Sequence, residues 1–465
     1  MYNYKFYLIN IQLDCNFIHN FHKFAPLIII KHMKLWDKGF TINDKIEKFT
    51  VGKDRILDSY LAHHDAIASK AQANMLAKVG LITNQENDAL QKALEEIIQL
   101  IEEDNFDIDD NFEDIHSKIE AYLIEKTGDA GKKIHVARSR NDQVLVAIQL
   151  FEKEYLKTIN QKILTLIDIL LQKADQYKNA LLPGYTHFQA AMPSSFGMWF
   201  SAYAESLLTD LYFFEAAYKI ADQNPLGSGA GFGTSFPIDR LQTTQEMGFS
   251  EILVSSVGAQ MLRGKTEKSV ATALAMVCGT LSKMSYDLVL YNSQDLAFVK
   301  LPNEMTTGSS IMPHKKNPDV FELTRAHCNR IQALPNDIML TINNLPSGYH
   351  RDYQILKEIL FEPMLQFENI LDILTFAIPQ LEIKEGYMEQ DKYDPIYTVE
   401  NINAAIKNGT PFRDAYREVG LSVENGTYDP HKEFQTSHIG SIHNLRLDLI
   451  RNKIENYKLE ASICK

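Results

Sequence analysis

The chain has 465 residues, 45% of them hydrophobic and 23% charged, with a formal net charge of −13. That balance supports a large core and excludes a disordered chain. It also argues against a nucleic-acid or anionic-membrane binder, whose surfaces carry the opposite sign. An anionic substrate would need its cations gathered in one pocket. The four cysteines, Cys15, Cys278, Cys328 and Cys464, lie far apart with no CxxC pair. Neither a disulfide framework nor a zinc site is indicated, and a reducing, cytoplasmic compartment fits best. No apolar run approaches the ~20 residues that span a bilayer.

Residues 1–32 are rich in aromatics, His and Ile. Asp14 and the histidines interrupt any apolar core of a signal peptide, and no small-residue cleavage site follows. The segment reads as an atypical extension. It is either an upstream start, with Met33 the initiator, or an arm that packs on a neighbouring subunit. Residues 33–137 are expected to form a smaller, helical N-terminal domain. From Arg140 onward, Leu156, Ile159, Ile163, Ile167, Leu170 and Ala174 step by three and four, which predicts one apolar helical stripe. Similar patterns cover about 196–222, 259–292, 318–343 and 353–376. Few segments alternate with period two, so the fold class is mainly α. Helices longer than the ~10–14-residue average line up in bundles, often shared between subunits. A central bundle is therefore expected over 138–387, with a small helical C-terminal domain over 388–465. Gly and Pro cluster at Pro183-Gly184, Pro225 to Gly233, Pro302 to Pro318 and Pro346 to Gly348. These predict loops at the ends of long helices, where functional groups tend to sit.

The segment Gly308 to Pro318 reads GSSIMPHKKNP. A polar loop ending in an Asn317 N-cap, with Pro318 at the first helical position, explains its end. That reading leaves unexplained two serines followed by two lysines. The loop resembles, at every defined position, the GSSxMPxKxN pattern of the fumarase/aspartase superfamily. The resemblance implies removal of a proton next to a carboxylate, then loss of a leaving group from the adjacent carbon. The carbanion is held as a doubly negative aci-carboxylate, so cations and donors must already face it. By resemblance, Ser309 is the catalytic serine, and Lys315 and Asn317 stabilise that charge. Serine is a poor base, so its alkoxide needs a nearby ammonium or helix N-terminus.

Three further segments look like those of argininosuccinate lyases. Gly184-Tyr185-Thr186-His187-Phe188-Gln189 is similar to that family's GYTHLQ, which implies that Thr186 binds a substrate carboxylate. It makes His187 an acid–base partner, with Glu322 expected to pair with it and fix its tautomer. Met192 departs from the family's usual Gln. Arg138-Ser139-Arg140-Asn141-Asp142-Gln143 reproduces the family's RSRNDQ, and Arg140 suits a bidentate contact with a succinyl carboxylate, with Asn141 beside it. Tyr349, Gln354 and Lys357 keep the family's spacing and by resemblance hold the arginine-side amino acid and the succinyl part. Pro411 to Ala415 is a weaker match, expected to be structural. Near the N-terminus, Leu35 to Phe40 resembles LWGGRF, and Asp58 matches an aspartate facing the substrate's arginine end. Asp54 stands where many members carry a serine. His63 and His64 read as surface helix residues, and Asn292 to Glu304 departs from the usual text.

The resemblance covers roughly residues 34–420. It implies cleavage of argininosuccinate to arginine and fumarate, the last step of arginine biosynthesis, without metal or cofactor. It also implies a homotetramer with a twenty-helix core and active sites shared between subunits. Two rival readings stand beside it. The first is adenylosuccinate lyase, favoured by His314 and opposed by the Arg138–Gln143 run. The second is an inert structural derivative, opposed by the retained catalytic residues. The division of acid and base between Ser309 and His187 stays open.

Overall fold

The structure is a computed structural model that describes residues 43–109 and 112–465. The expectations for residues 1–32, Met33 and Leu35 to Phe40 lie outside the described residues. Among the described residues, six α-helices precede the bundle: α1 (Asp44–Val51), α2 (Asp54–Leu57), α3 (Ala62–Lys78), α4 (Asn84–Glu102), α5 (Ile115–Thr127) and α6 (Asp129–Lys133). Helix α4 starts on a capping box in which Thr83 and Glu86 satisfy each other's backbone N–H. Helix α3 carries buried Ala66, Ala68, Ala71 and Ala73, and these small side chains let it lie close against α4 and α7.

The bundle is built on α7 (Arg140–Gln176), a helix of 37 residues and so about 55 Å long. Ser139 caps it, with Asp142 closing the box onto the Ser139 N–H at 2.8 Å. All six residues of the expected stripe, from Leu156 to Ala174, are fully buried. Next come α8 (Phe196–Ala221), α9 (Arg240–Glu246), α10 (Ser256–Met261) and α11 (Lys265–Tyr291). They are followed by α12 (Asp319–Ile331), α13 (Leu334–Thr341) and α14 (Ile355–Ala377), which continues through an internal Pro363. Helices α7, α8, α11 and α12 pack in sequence, and α14 lies across α7, α12 and α13. The last helices are α15 (Thr398–Lys407), α16 (Phe412–Glu424) and α17 (Leu447–Glu460). The fold is mainly α, as expected.

Four details differ from the sequence reading. Pro183-Gly184 is not a loop. It lies in β1 (Leu181–Thr186), paired antiparallel with β2 (Gln189–Ser195), with Pro183 facing Pro193 and a bulge at Gly184/Tyr185. Two prolines opposite each other need no ladder hydrogen bond, so a hairpin survives where turn chemistry was read. The 318–343 pattern splits at Gln332-Ala333, and the 259–292 pattern splits before Gly264, whose positive φ of 81° sets the entry to α11. Helix α12 starts one residue late: Pro318 is its N-cap and Asn317 belongs to a two-residue ladder with Thr307. Finally, Ser256–Tyr291 is long and apolar enough by composition to cross a membrane, an 18-residue stretch within it having a mean hydropathy of 1.2. Its Val270, Leu274, Val277, Leu281 and Leu288 are instead buried in the core, where it packs against α8 and α12.

Gly197, in the first turn of α8, meets the end of α7 where a Cβ would stand 2.6 Å from Lys178 Cα and 3.0 Å from Ala174 O. Backbone cannot yield as a side chain can. Gly197→Ala should therefore cost about 1–3 kcal/mol, read as a lower urea midpoint at unchanged m-value.

Candidate active site

Residues at the head of α7 converge with Asp58, Tyr349, Gln354 and Lys357 around one small polar cavity of about 60 Å³. Lys357, on the first turn of α14, is buried between two carboxylates: it pairs with Asp58 and lies 2.7 Å from Asp54. Burial alone would lower its proton affinity, but Asp58 and Asp54 more than reverse that, and its pKa lies above the usual lysine value. Burial raises Asp54 to about 6, with repulsion from Asp58 adding to it and Lys357 opposing. Asp54 thus lines the cavity beside Asp58 and Lys357. Gln354 donates to the carbonyls of Thr50 and Val51 at 2.8 and 3.0 Å, closing α1 onto α14. Arg140 is shared between Asp114 at 3.6 Å, Ser117 Oγ at 3.2 Å and Gln143 Oε1 at 3.3 Å. Asn141 gives its N–H to Ser139 Oγ at 3.3 Å. Its side chain has no partner among the described residues.

Behind this cavity lies a network that the sequence reading missed. Asp65, on α3, is fully buried; it bonds His116 Nδ1 at 2.9 Å and takes both its oxygens to Gln143 Nε2 at 3.0 Å. Burial pushes this carboxyl up, but His116, Arg138 and Gln143 outweigh it and hold it at about 2. His116 Nε2 is buried without a partner, and the residue lines the cavity. One sequence signal was available: a lone Asp in the alanine-rich run of α3 has to find a buried partner. His64, read as a surface residue, is buried too: its ring lies edge-on to Phe151, and Nε2 reaches Glu154 at 2.9 Å.

The loop residues gather elsewhere. The ladder between Thr307-Gly308 and Lys316-Asn317 closes the neck of a loop whose tip is Ser309 to Lys315. Thr307 binds Asp319 on α12, and Asn317 Nδ2 donates to Thr307 Oγ1 at 3.4 Å. Ser309 Oγ accepts from the N–H of Met312 at 3.2 Å and of Ile311 at 3.4 Å. Two N–H dipoles on one hydroxyl oxygen favour its ionised form. Lys315, Asn317 and Glu322 line a cavity of about 550 Å³ with His314, Ser293 and Asn292. Lys315 and Glu322 are unpaired among the described residues.

Thr186 and His187 stand at the hairpin tip, exposed to solvent. His187 and Phe188 form its two-residue turn with φ of 54° and 58°. Both angles are positive, as in a type I′ turn, where Asn-Gly is usual. Non-glycine residues held there are strained, a feature that clusters at functional sites. The expected His187–Glu322 pair does not form within one chain. The bundle also divides the expected site residues between its two ends. Arg140 opens α7, whereas the hairpin follows its far end about 55 Å away. Arg263, before α11, lines the small cavity, and the Ser309 loop comes after the far end of that helix. Loop and hairpin therefore share one end of the bundle, joined through the Tyr185–Phe298 ring contact at 6.4 Å. The Lys357 cavity occupies the other end.

A long-helix bundle with a lysine- and serine-bearing loop at one end and an ion-paired cavity at the other is the architecture of a fumarase-type lyase. The family model described as Lyase matches residues 43–333. Among solved structures, an EDDS lyase in complex with formate superposes with a TM-score of 0.69, at 18% identity over 91% of each chain. A class II fumarase from Schistosoma mansoni also gives 0.69, at 15% identity over 90% of this chain and 94% of that one. The argininosuccinate lyase of Bacteroides fragilis is 48% identical over 432 residues, 92% of this chain and 97% of its own. That of Phocaeicola vulgatus is 49% identical over 419 residues, covering 90% and 94%, and that of Thermotoga neapolitana is 39% identical over 389, covering 83% and 97%. The chain belongs to the argininosuccinate lyase family.

Asp65 tests the cavity's support. Its folded pKa lies below the ordinary 3.8, so its stabilisation is fully present above about pH 4 and is lost as pH falls towards 2. Asp65→Asn should cost on the order of 3 kcal/mol at pH 7. In urea unfolding at a series of pH values, the gap to the wild type should close between pH 4 and 2.

Proposed function

We propose that the chain cleaves argininosuccinate reversibly to arginine and fumarate, the last step of arginine biosynthesis, in the cytoplasm. The observation that carries this reading is near-50% identity to argininosuccinate lyases over nine-tenths of the chain, with a Ser309 hydroxyl already held by two backbone N–H groups. Ser309 removes the proton from the succinyl carbon next to a carboxylate. Lys315, Asn317 and Thr186 hold the aci-carboxylate. His187, with Glu322, assists departure of the guanidino nitrogen from the adjacent carbon. Asp58 faces the arginine end, Tyr349, Gln354 and Lys357 take the arginine-side amino acid and the succinyl part, and Arg140 and Asn141 take a succinyl carboxylate. Because loop and cavity lie at opposite ends of one bundle, the site is assembled from several copies, as a homotetramer with a twenty-helix core allows. The regions 33–137, 138–387 and 388–465 serve as flanking, bundle and capping domains. Neither metal nor cofactor has a step in this sequence.

The direct test is fumarate release from argininosuccinate by purified protein near pH 7 with chelator present, with adenylosuccinate as the alternative substrate. Release of fumarate and arginine in equal amounts supports the reading. Turnover of adenylosuccinate alone would replace it. In the same assay, Ser309→Ala should lose about 10²–10⁴-fold in kcat with little change in KM; wild-type turnover would remove Ser309 from the chemistry. Lys357→Ala should raise KM with kcat largely kept, and a lost kcat at intact KM would move Lys357 into the chemical step.

A further inference from the structure

About three turns along α7 from Arg140, Glu152 is fully buried and neither of its oxygens has a hydrogen-bond partner among the described residues. One turn earlier, Gln149 is equally buried and equally unpartnered at both amide atoms. Buried polar groups in native proteins are almost always satisfied, and a buried charge is paired or neutralised. Two charged residues act on Glu152. Burial raises its proton affinity most, Glu267 adds to that, and Arg263 opposes; the carboxyl ends well above the usual range. Arg263 is already committed. Its Nε is ion-paired with Glu267 Oε1 at 2.6 Å without the alignment of a hydrogen bond, and its Nη2 donates to the Tyr353 carbonyl at 2.9 Å. Glu267 in turn accepts the Gly264 N–H at 2.6 Å. The Tyr353 hydroxyl feels the same two charges from the side of α14. One guanidinium thus joins the bundle core to the segment that carries Tyr349, Gln354 and Lys357, and Arg263 itself lines their cavity.

We infer that Glu152 stays a neutral acid at pH 7 and acts as a positioning residue, leaving Arg263 bound to Glu267 and the Tyr353 carbonyl so that the Tyr349–Lys357 segment is fixed against the cavity. Ionised, Glu152 would compete with Glu267 for the one guanidinium and draw it from the Tyr353 carbonyl. The inference rests on the proposed reading only for what the cavity binds.

The sign of the linkage follows. The folded carboxyl keeps a proton that the unfolded chain releases near pH 4.5. Stability therefore falls as pH rises above that value, until the folded group ionises too. Glu152→Gln keeps the shape and cannot ionise. Thermal unfolding of the full-length wild type and of Glu152→Gln, followed from pH 5 to 9, should start close together. The variant should then gain several degrees as pH rises. At the pH where the gap between the melting curves stops growing, which marks ionisation of the folded group, KM for argininosuccinate should rise several-fold in the wild type and stay level in the variant, with kcat alike in both. Parallel melting curves would overturn the neutral acid. Diverging melts with the same KM profile in both proteins would overturn the positioning role. Should the Gln variant not fold, Glu152→Met removes the same titration and gives the same comparison. If argininosuccinate is not cleaved at all, the proposed reading fails while the melting curves still decide the state of Glu152.

Discussion

Asp142 ties the two halves of the cavity end together. One oxygen takes the Ser139 N–H and starts α7; the other takes the N–H groups of Gly227 and Gly229 at 3.0 and 2.8 Å. A single carboxylate thereby fixes where the bundle's principal helix begins and where the Pro225–Gly233 loop lies over it. Burial works against this, raising the carboxyl to about 6, with the backbone N–H groups and Arg138 pulling the other way. The Asp65 network stands immediately behind. The result is a helix start defined by buried charge, not by propensity, and Arg140 and Asn141 inherit their positions from it.

The cavity end is electrostatically closed. Lys357 has Asp54 and Asp58, Arg351 has Glu113 at 3.3 Å, Arg140 has Asp114, and Arg263 has Glu267. Every cation that a carboxylate ligand would seek already holds a protein carboxylate. A ligand that enters must exchange partners, so its affinity reflects a difference between two sets of ion pairs. A substrate end bearing both ammonium and carboxylate suits that exchange, because it can serve both members of a pair that it separates.

Much of this was legible in the sequence. The stripe from Leu156 to Ala174 set the long helix, and the GSSIMPHKKN loop and the Arg138–Gln143 run pointed to the chemistry because their residue types have few other joint uses. The illegible parts share a physical cause. The hairpin at Pro183 was hidden because proline and glycine are turn residues in almost every other setting. His116, Asp65 and Glu152 were hidden because burial is decided by partners far away in sequence, Asp65 to His116 across 51 residues. Asp54 was read as a doubtful substitution, and its partner Lys357 lies some three hundred positions on. The His187–Glu322 pair was expected from chemistry alone, and the two residues do not meet within one chain although hairpin and loop share one end of the bundle.

The 37 residues of α7 also act as a ruler. Each residue advances the helix by about 1.5 Å and turns it by about 100°. A substitution on its surface leaves the separation of the two ends unchanged. A single inserted or deleted residue changes the phase of everything beyond it, turning the apolar stripe away from its neighbours and displacing the hairpin that carries His187. The sequence of such a helix is free to drift in composition but not in length. The tip from Ser309 to Lys315 is isolated from the bundle's register by the two-residue ladder at its neck, yet it keeps the residue spacing of the GSSxMPxKxN pattern.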